Sequence, residues 1–223
     1  MTFYSQLVNA TLKEKEYLRS SSIVQRCFTG DISLDDYVAF LQQAYHHVKH
    51  TVPLLMATGS KIPFDKEWLR EAIGEYIEEE TGHQEWILND IAACGYDKEQ
   101  VRRSQPAMAT ELMVSYAYDS INRISPLCFF GMVFVLEGTS IELADAAAKS
   151  IGDKLALPSK AFSYLRSHGA LDQEHIVFFQ SLMDRITDPQ EQALIIHSAK
   201  MFFKLYGDIF HGLTTEHGVK LAA

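Results

Sequence analysis

The chain has 223 residues, a hydrophobic fraction of 47% and a formal net charge of −9. That is enough apolar material for a single domain over residues 1–223 with a sizeable core. The acidic residues are spread without blocks, which argues against nucleic acid or an anionic membrane surface as the main partner and leaves a small molecule as the expectation.

Three cysteines, Cys27, Cys94 and Cys128, lie far apart beside apolar stretches. None of the close pairings of zinc sites or redox dithiols is present, so a reduced cytoplasm is expected. The N-terminus, MTFYSQLVNATLKEKEYLRS, carries charges where a signal peptide needs its apolar segment. No apolar run approaches the ~20 residues that span a bilayer, and a soluble protein is expected.

In chain order, the first thirty residues are expected to add one shorter helix. Asp31 to Asp36 then opens the first long helix, with Ser33 as N-cap, Asp36 in capping-box position, and Pro53 interrupting it near its end. A second helix starts near Phe64 and runs to Cys94, where Gly95 supplies the stop. The third follows Pro106 to about Ile124, and Pro126 starts a very apolar fourth that reaches roughly Ile151. Pro158 and Ser159 begin a fifth that continues to Ile186, and Asp188 and Pro189 begin a sixth that ends near Gly212. Strand patterns, internal repeats and linkers are missing, so the fold class is all-α, with short loops forcing antiparallel packing.

Helical positions three apart project on the same side. Glu80 with His83, and Asp172 with His175, are each a carboxylate-x-x-histidine pair able to point at one ion. Two such pairs joined by carboxylates from other helices are how bundle proteins hold two iron or manganese ions. His168 extends the second pair to H-x3-D-x2-H, on one stripe of the fifth helix beside the apolar Phe162, Leu165, Ile176 and Phe179, which turns that stripe inward. Glu79 is a candidate in place of Glu80, at i, i+4 from His83, and Gly82 loosens the helix between them.

Glu137 sits in the run FFGMVFVLEGTS. A lone carboxylate buried there would carry a desolvation cost of several kcal/mol unless protonated or paired with a cation, and a metal ion is the strongest such partner. The competing reading is a carboxylate beside an arginine or capped by Thr139 and Ser140. On the first long helix His46 and His50 lie one turn apart, so His46 is a candidate further ligand or substrate contact while His47 faces elsewhere. That helix offers no carboxylate among its apolar positions. His197, His211 and His217 have no partner at ligand spacing and are read as surface or packing residues.

Taken together, EEETGHQEW with Glu80 and His83, VFVLEGTS with Glu137, and SHGALDQEH with His168, Asp172 and His175 resemble the haem-oxygenase-like di-iron oxidases, a branch of the TenA/PqqC-like superfamily. The 54 residues from His83 to Glu137 and the 31 from Glu137 to His168 are similar to that family's order and spacing. The resemblance covers most of the chain and implies a seven- or eight-helix bundle, weakly held metals, and oxidation of small amino acids, fatty acids or amines. It also implies a homodimer, since relatives of this fold often dimerise. The first long helix departs from the family, some members of which supply a glutamate there.

The expected function is a non-haem oxidase or oxygenase that activates O2 with two Fe2+ ions per chain, Mn2+ being an alternative metal. Glu80, His83 and Glu137 would serve mainly one ion, and His168, Asp172 and His175 mainly the other, one carboxylate bridging. Phe129, Phe130, Met132, Phe134 and Phe178 are candidates to line a dry apolar pocket. The rival enzyme reading is a TenA-type thiaminase or aminopyrimidine hydrolase with Cys128 as nucleophile. A non-catalytic helical binding protein and a haem protein are the remaining alternatives, the surplus of carboxylates arguing against haem.

Overall fold

The computed structural model describes residues 1–213, apart from the side chains of 168–174. Every regular element among them is helical, and no helix among them is long and apolar enough to cross a membrane. The N-terminal region forms three short helices in place of one: α1 (Phe3–Ala10), α2 (Leu12–Arg19) and α3 (Ser22–Thr29). Hydroxyls that fold back onto helix carbonyls cause the breaks. Thr11 Oγ1 donates to Leu7 O at 2.9 Å where α1 ends, and Ser20 Oγ donates to Tyr17 O at 2.8 Å where α2 ends.

Helix α4 (Leu34–Val48) opens on the expected capping box, Ser33 Oγ accepting from Asp36 N and Asp36 Oδ2 accepting from Ser33 N. Asp36 also takes a 2.6 Å contact from Arg26, which ties α3 to α4. The interruption attributed to Pro53 falls at Lys49 and His50, and the chain continues as α5 (Thr51–Gly59) with the proline in its first turn. A proline ring clashes with the carbonyl four residues earlier, here that of Lys49, so the helix breaks one turn upstream.

The second expected helix is divided into α6 (Glu67–Glu80) and α7 (His83–Ala93), because Gly82 adopts φ 97°, which glycine reaches without a Cβ penalty. Then come α8 (Lys98–Arg103), α9 (Met108–Asp119) with a π-helical turn over Ser120–Ile124, α10 (Cys128–Leu155), α11 (Ser163–Met183) and α12 (Pro189–Gly212).

The 28 residues of α10 extend about 42 Å and pack against both α11 and α12. At the α10–α12 crossing a Cβ on Gly131 would lie 2.6 Å from Ala199 N, so only glycine permits this approach. Ser198 Oγ donates to Cys128 O at 2.7 Å in the same crossing. Helix α4 packs on α7 and α9, α5 on α6, and α2 and α3 close over α12. Asp90 of α7 caps the start of α11: it accepts from Ser163 N at 3.0 Å and Tyr164 N at 2.9 Å, and from the Ser163 hydroxyl. The helix that begins at His83 thereby sets where the helix carrying His175 begins.

Candidate metal centre

Helices α4, α5, α6, α10, α11 and α12 enclose a cavity of about 80 Å³ whose wall includes His47, Tyr76, Glu80, Glu137, Tyr164 and Tyr206. Phe129 and Met132 form part of its apolar side, as expected, whereas Phe130 and Phe134 belong to the core and Phe178 packs on the Tyr76 ring at 5.9 Å.

Glu80 ends α6 and the buried His83 begins α7, so they do not share the continuous helix that their spacing predicted. The glycine bend nonetheless brings them together, with His83 Nδ1 3.0 Å from Glu80 Oε2. Glu79 turns instead toward α11, its Oε2 2.8 Å from His175 Nε2, while His175 Nδ1 lies 3.8 Å from Glu137 Oε1. One imidazole therefore stands between carboxylates of α6 and α10. Glu137 keeps 12% of its side-chain exposure and Glu79, at the rim, 47%. Among the described residues, Glu137 meets the imidazole of His175 at this distance.

Tyr76 lies one turn before Glu79 and Glu80, on the same face of α6. It is buried, and its ring centroid is 5.8 Å from that of His175. Its hydroxyl makes no hydrogen bond of regular geometry, yet the Glu137 carboxylate is near enough to act on it. Burial first, and then Glu137, Glu79 and Glu80, push the phenol far above its ordinary pKa. Sequence reasoning missed Tyr76, although its i, i+3 and i, i+4 relation to the two glutamates was visible.

The histidines of α4 are placed differently from expectation. His46 faces the α8–α9 connection, with Nε2 2.9 Å from Ser104 Oγ and Nδ1 3.2 Å from Lys49 Nζ, and burial, followed by Lys49 and His50, depresses its pKa to about 4. His50 Nδ1 lies 3.2 Å from the Tyr118 hydroxyl. It is His47, read from sequence as facing elsewhere, that lines the cavity, with its ring 5.7 Å from that of Tyr206. His211 meets Tyr17 O at 2.9 Å and is a packing residue, whereas His217 lies outside the described residues.

The side chains of His168 and Asp172 also lie outside the described residues. Among the described residues, no three His, Cys, Asp or Glu side chains are drawn close enough to hold an ion as they stand. The donor chemistry still suits iron: Glu80 and Glu137 line one cavity with the buried Tyr76 phenol, which has no regular hydrogen bond, and the imidazoles of His83 and His175 lie 3.0 and 3.8 Å from these two carboxylates. Cys128, the nucleophile of the rival reading, is buried at the start of α10 and is not part of this wall; burial pushes its thiol up.

Among curated proteins, no sequence gives a significant match. The fold is shared with solved structures of low identity. A domain with a heme oxygenase-like fold from Shewanella denitrificans superposes with a TM-score of 0.86 at 20% identity, covering 100% of this chain and 98% of that one. A TenA homolog from Pseudomonas syringae pv. tomato gives 0.80 at 15% identity, with 94% and 91% covered. Heme oxygenase from Leptospira interrogans gives 0.74 at 17% identity, with 95% and 100% covered. The haem-oxygenase-like bundle expected from the resemblance is thus the observed fold. A family model described as an iron-containing redox enzyme matches residues 38–207, a segment that holds Glu80, His83, Glu137 and His175 together with the walls around them. By that match the chain belongs to the iron-containing redox enzyme family.

Proposed function

We propose that this protein is a non-haem di-iron oxidase or oxygenase that activates O2 to oxidise a small amino-acid, amine or fatty-acid-like substrate. The observation that carries the reading is the meeting of Glu137, from the most apolar helix, with His175 of α11 and the carboxylates of α6. Glu80, His83, Glu137 and His175 would hold the metal, joined by His168 and Asp172 from the stripe seen in the sequence. When bound, iron supplies the electrons by which dioxygen is reduced, and carboxylate and imidazole ligands suit its ferrous form, with manganese as the alternative.

The protein's own contribution is orientation and exclusion of water. His175 Nε2 lies 2.8 Å from Glu79 Oε2 and would donate there when the imidazole binds metal, leaving the Nδ1 lone pair on the Glu137 side. Glu79 then takes the place of the carboxylate behind a ligand histidine, a position that fixes ring orientation and tautomer. Tyr76 holds a phenolic proton beside Glu137 and can orient that carboxylate. Phe129, Met132 and Leu136 keep the other side of the cavity dry.

Two alternatives share the fold. A Cys128-dependent hydrolase needs an accessible thiolate, and burial works against both requirements. A haem enzyme needs an apolar slot with an axial histidine, whereas Glu80 and Glu137 look into a cavity of about 80 Å³. The test is oxygen uptake by protein loaded anaerobically with ferrous iron, offered alkyl carboxylates, alkyl amines and amino acids in turn. Substrate-dependent uptake that is lost in His175→Ala supports the reading. Iron-loaded protein that turns over none of these classes, or a Cys128→Ala variant that abolishes a hydrolytic activity, contradicts it.

A further inference from the structure

Beside the cavity at Glu137 lies a second one of about 90 Å³. Its walls come from α3, α4, α10, α11 and α12 and are almost wholly apolar, including Ile23, Val24, Phe40, Leu143, Ala144 and Phe210. Ser140, Tyr164 and Tyr206 belong to the walls of both cavities. These three come from α10, α11 and α12, so the partition is built jointly by the helices that form the centre of the fold. Ser140 follows Glu137 by three positions on α10 and faces the same side; Ala144 and Ala147 carry that side onward into the second chamber.

Protein interiors contain few voids larger than a water molecule, because side chains pack as densely as molecular crystals. An apolar void adjoining a set of ligand-type side chains has the form of a binding site for the body of a small molecule. The one charged group on the chamber's described walls, and the most deeply buried phenol, are occupied within the fold. Asp36 is held by Arg26 and Ser33, and the Tyr37 hydroxyl donates to Ala161 O at 2.7 Å. Nothing charged among its described walls remains to receive a second polar end. Phe28, 49% exposed, marks where the chamber reaches the surface of the bundle.

We propose that this chamber binds the hydrocarbon chain of the substrate, and that the substrate is an alkyl compound whose polar groups all lie at one end. The polar head lies in the Glu137 cavity and the chain passes between Ser140, Tyr164 and Tyr206. A zwitterion with a charge at its far end meets no compensating group in the chamber and is rejected at the desolvation step. This inference rests on the Glu137 cavity being the reaction site.

The test is titration calorimetry of the full chain, with and without iron, using the hexyl, octyl and decyl members of three series: n-alcohols, n-alkyl amines and n-alkyl carboxylates. The expected result is affinity rising about fourfold per added methylene, the yield of burying each CH₂. The three series identify the head group. Ala144→Phe and, at a less buried position, Ala147→Phe are expected to weaken binding of the decyl compound at least ~10-fold in protein that still folds and keeps the parent's iron content. Affinities that are flat with chain length, or that rise equally in folded filling variants, overturn the proposal. Chain-length-dependent binding by protein that takes up no iron keeps the chamber and removes the iron reading; iron uptake with no chain-length dependence does the reverse.

Discussion

Asp90 is the residue through which the fold most directly sets the geometry of the centre, and its replacement has a calculable effect. Its Oδ1 accepts from Ser163 N and the Ser163 hydroxyl, and its Oδ2 from Tyr164 N, all at the entry to α11. Hydrogen bonds to the uncharged carboxyl contribute about 0.5–1.5 kcal/mol each, and removal of an ordinary helix N-cap costs about 0.5–2 kcal/mol. We therefore expect Asp90→Ala to destabilise the metal-free protein by about 2–4 kcal/mol, and Asp90→Asn, which keeps one acceptor oxygen, by about half that. For a chain of this size each kcal/mol moves Tm by roughly 2–4 °C, so Asp90→Ala should melt about 4–16 °C lower. The pH dependence has a definite sign. Burial pushes the Asp90 carboxyl above its ordinary value in spite of the hydrogen bonds from Ser163 and Tyr164. Below the unfolded value of about 3.9 both states hold the proton and the native state carries no penalty. As pH rises through the raised native value, the folded chain must ionise a group its surroundings keep protonated, and stability falls. The stability difference between parent and Asp90→Ala is therefore largest in acid and narrows toward neutrality. Urea unfolding across pH 4–7 measures it. A difference under about 0.5 kcal/mol, or one that widens with pH, would refute the reasoning.

Three further substitutions probe other parts of the account. Tyr76→Phe should leave fold stability within about 1 kcal/mol, since the hydroxyl has no regular hydrogen bond to lose, yet weaken iron binding about 10-fold through the loss of its proton beside Glu137, as read by competitive iron titration. Gly131→Ala places a methyl 2.6 Å from Ala199 N, a backbone atom that cannot turn aside, and should cost at least ~1–3 kcal/mol in thermal unfolding. Cys128→Ala should retain substrate-dependent oxygen uptake within about twofold and cost about 1 kcal/mol, because the thiol is a buried packing group.

Much of the bundle was legible because helix ends are written in local chemistry. Ser33 with Asp36 and Pro189 after Asp188 each mark a start where the structure has one. The bend at Gly82 was signalled by a single glycine, but whether it loosens or breaks a helix depends on φ, which the sequence does not contain. The bend changes the site: it carries Glu80 to His83 and leaves Glu79 for His175. The face of α4 was not legible. From Leu41 to Val48 every residue of that helix is buried, so there is no polar side to orient it and hydropathy cannot choose between His46 and His47. Glu137 was legible for the opposite reason, as a lone carboxylate in an apolar run whose partner had to come from another helix. Tyr76 escaped notice because a tyrosine on an apolar face ordinarily signals core.

The account stands on carboxylates and imidazoles from separate helices sharing metal ions in one cavity. Anaerobic titration with ferrous iron, followed by metal counting and Mössbauer spectroscopy on the parent and on Glu137→Ala, tests this most directly. The prediction is about two irons per parent chain, exchange-coupled once oxidised, with coupling and at least about one iron lost in the folded variant. Iron that binds equally to both proteins, or only as isolated uncoupled ions, would contradict it.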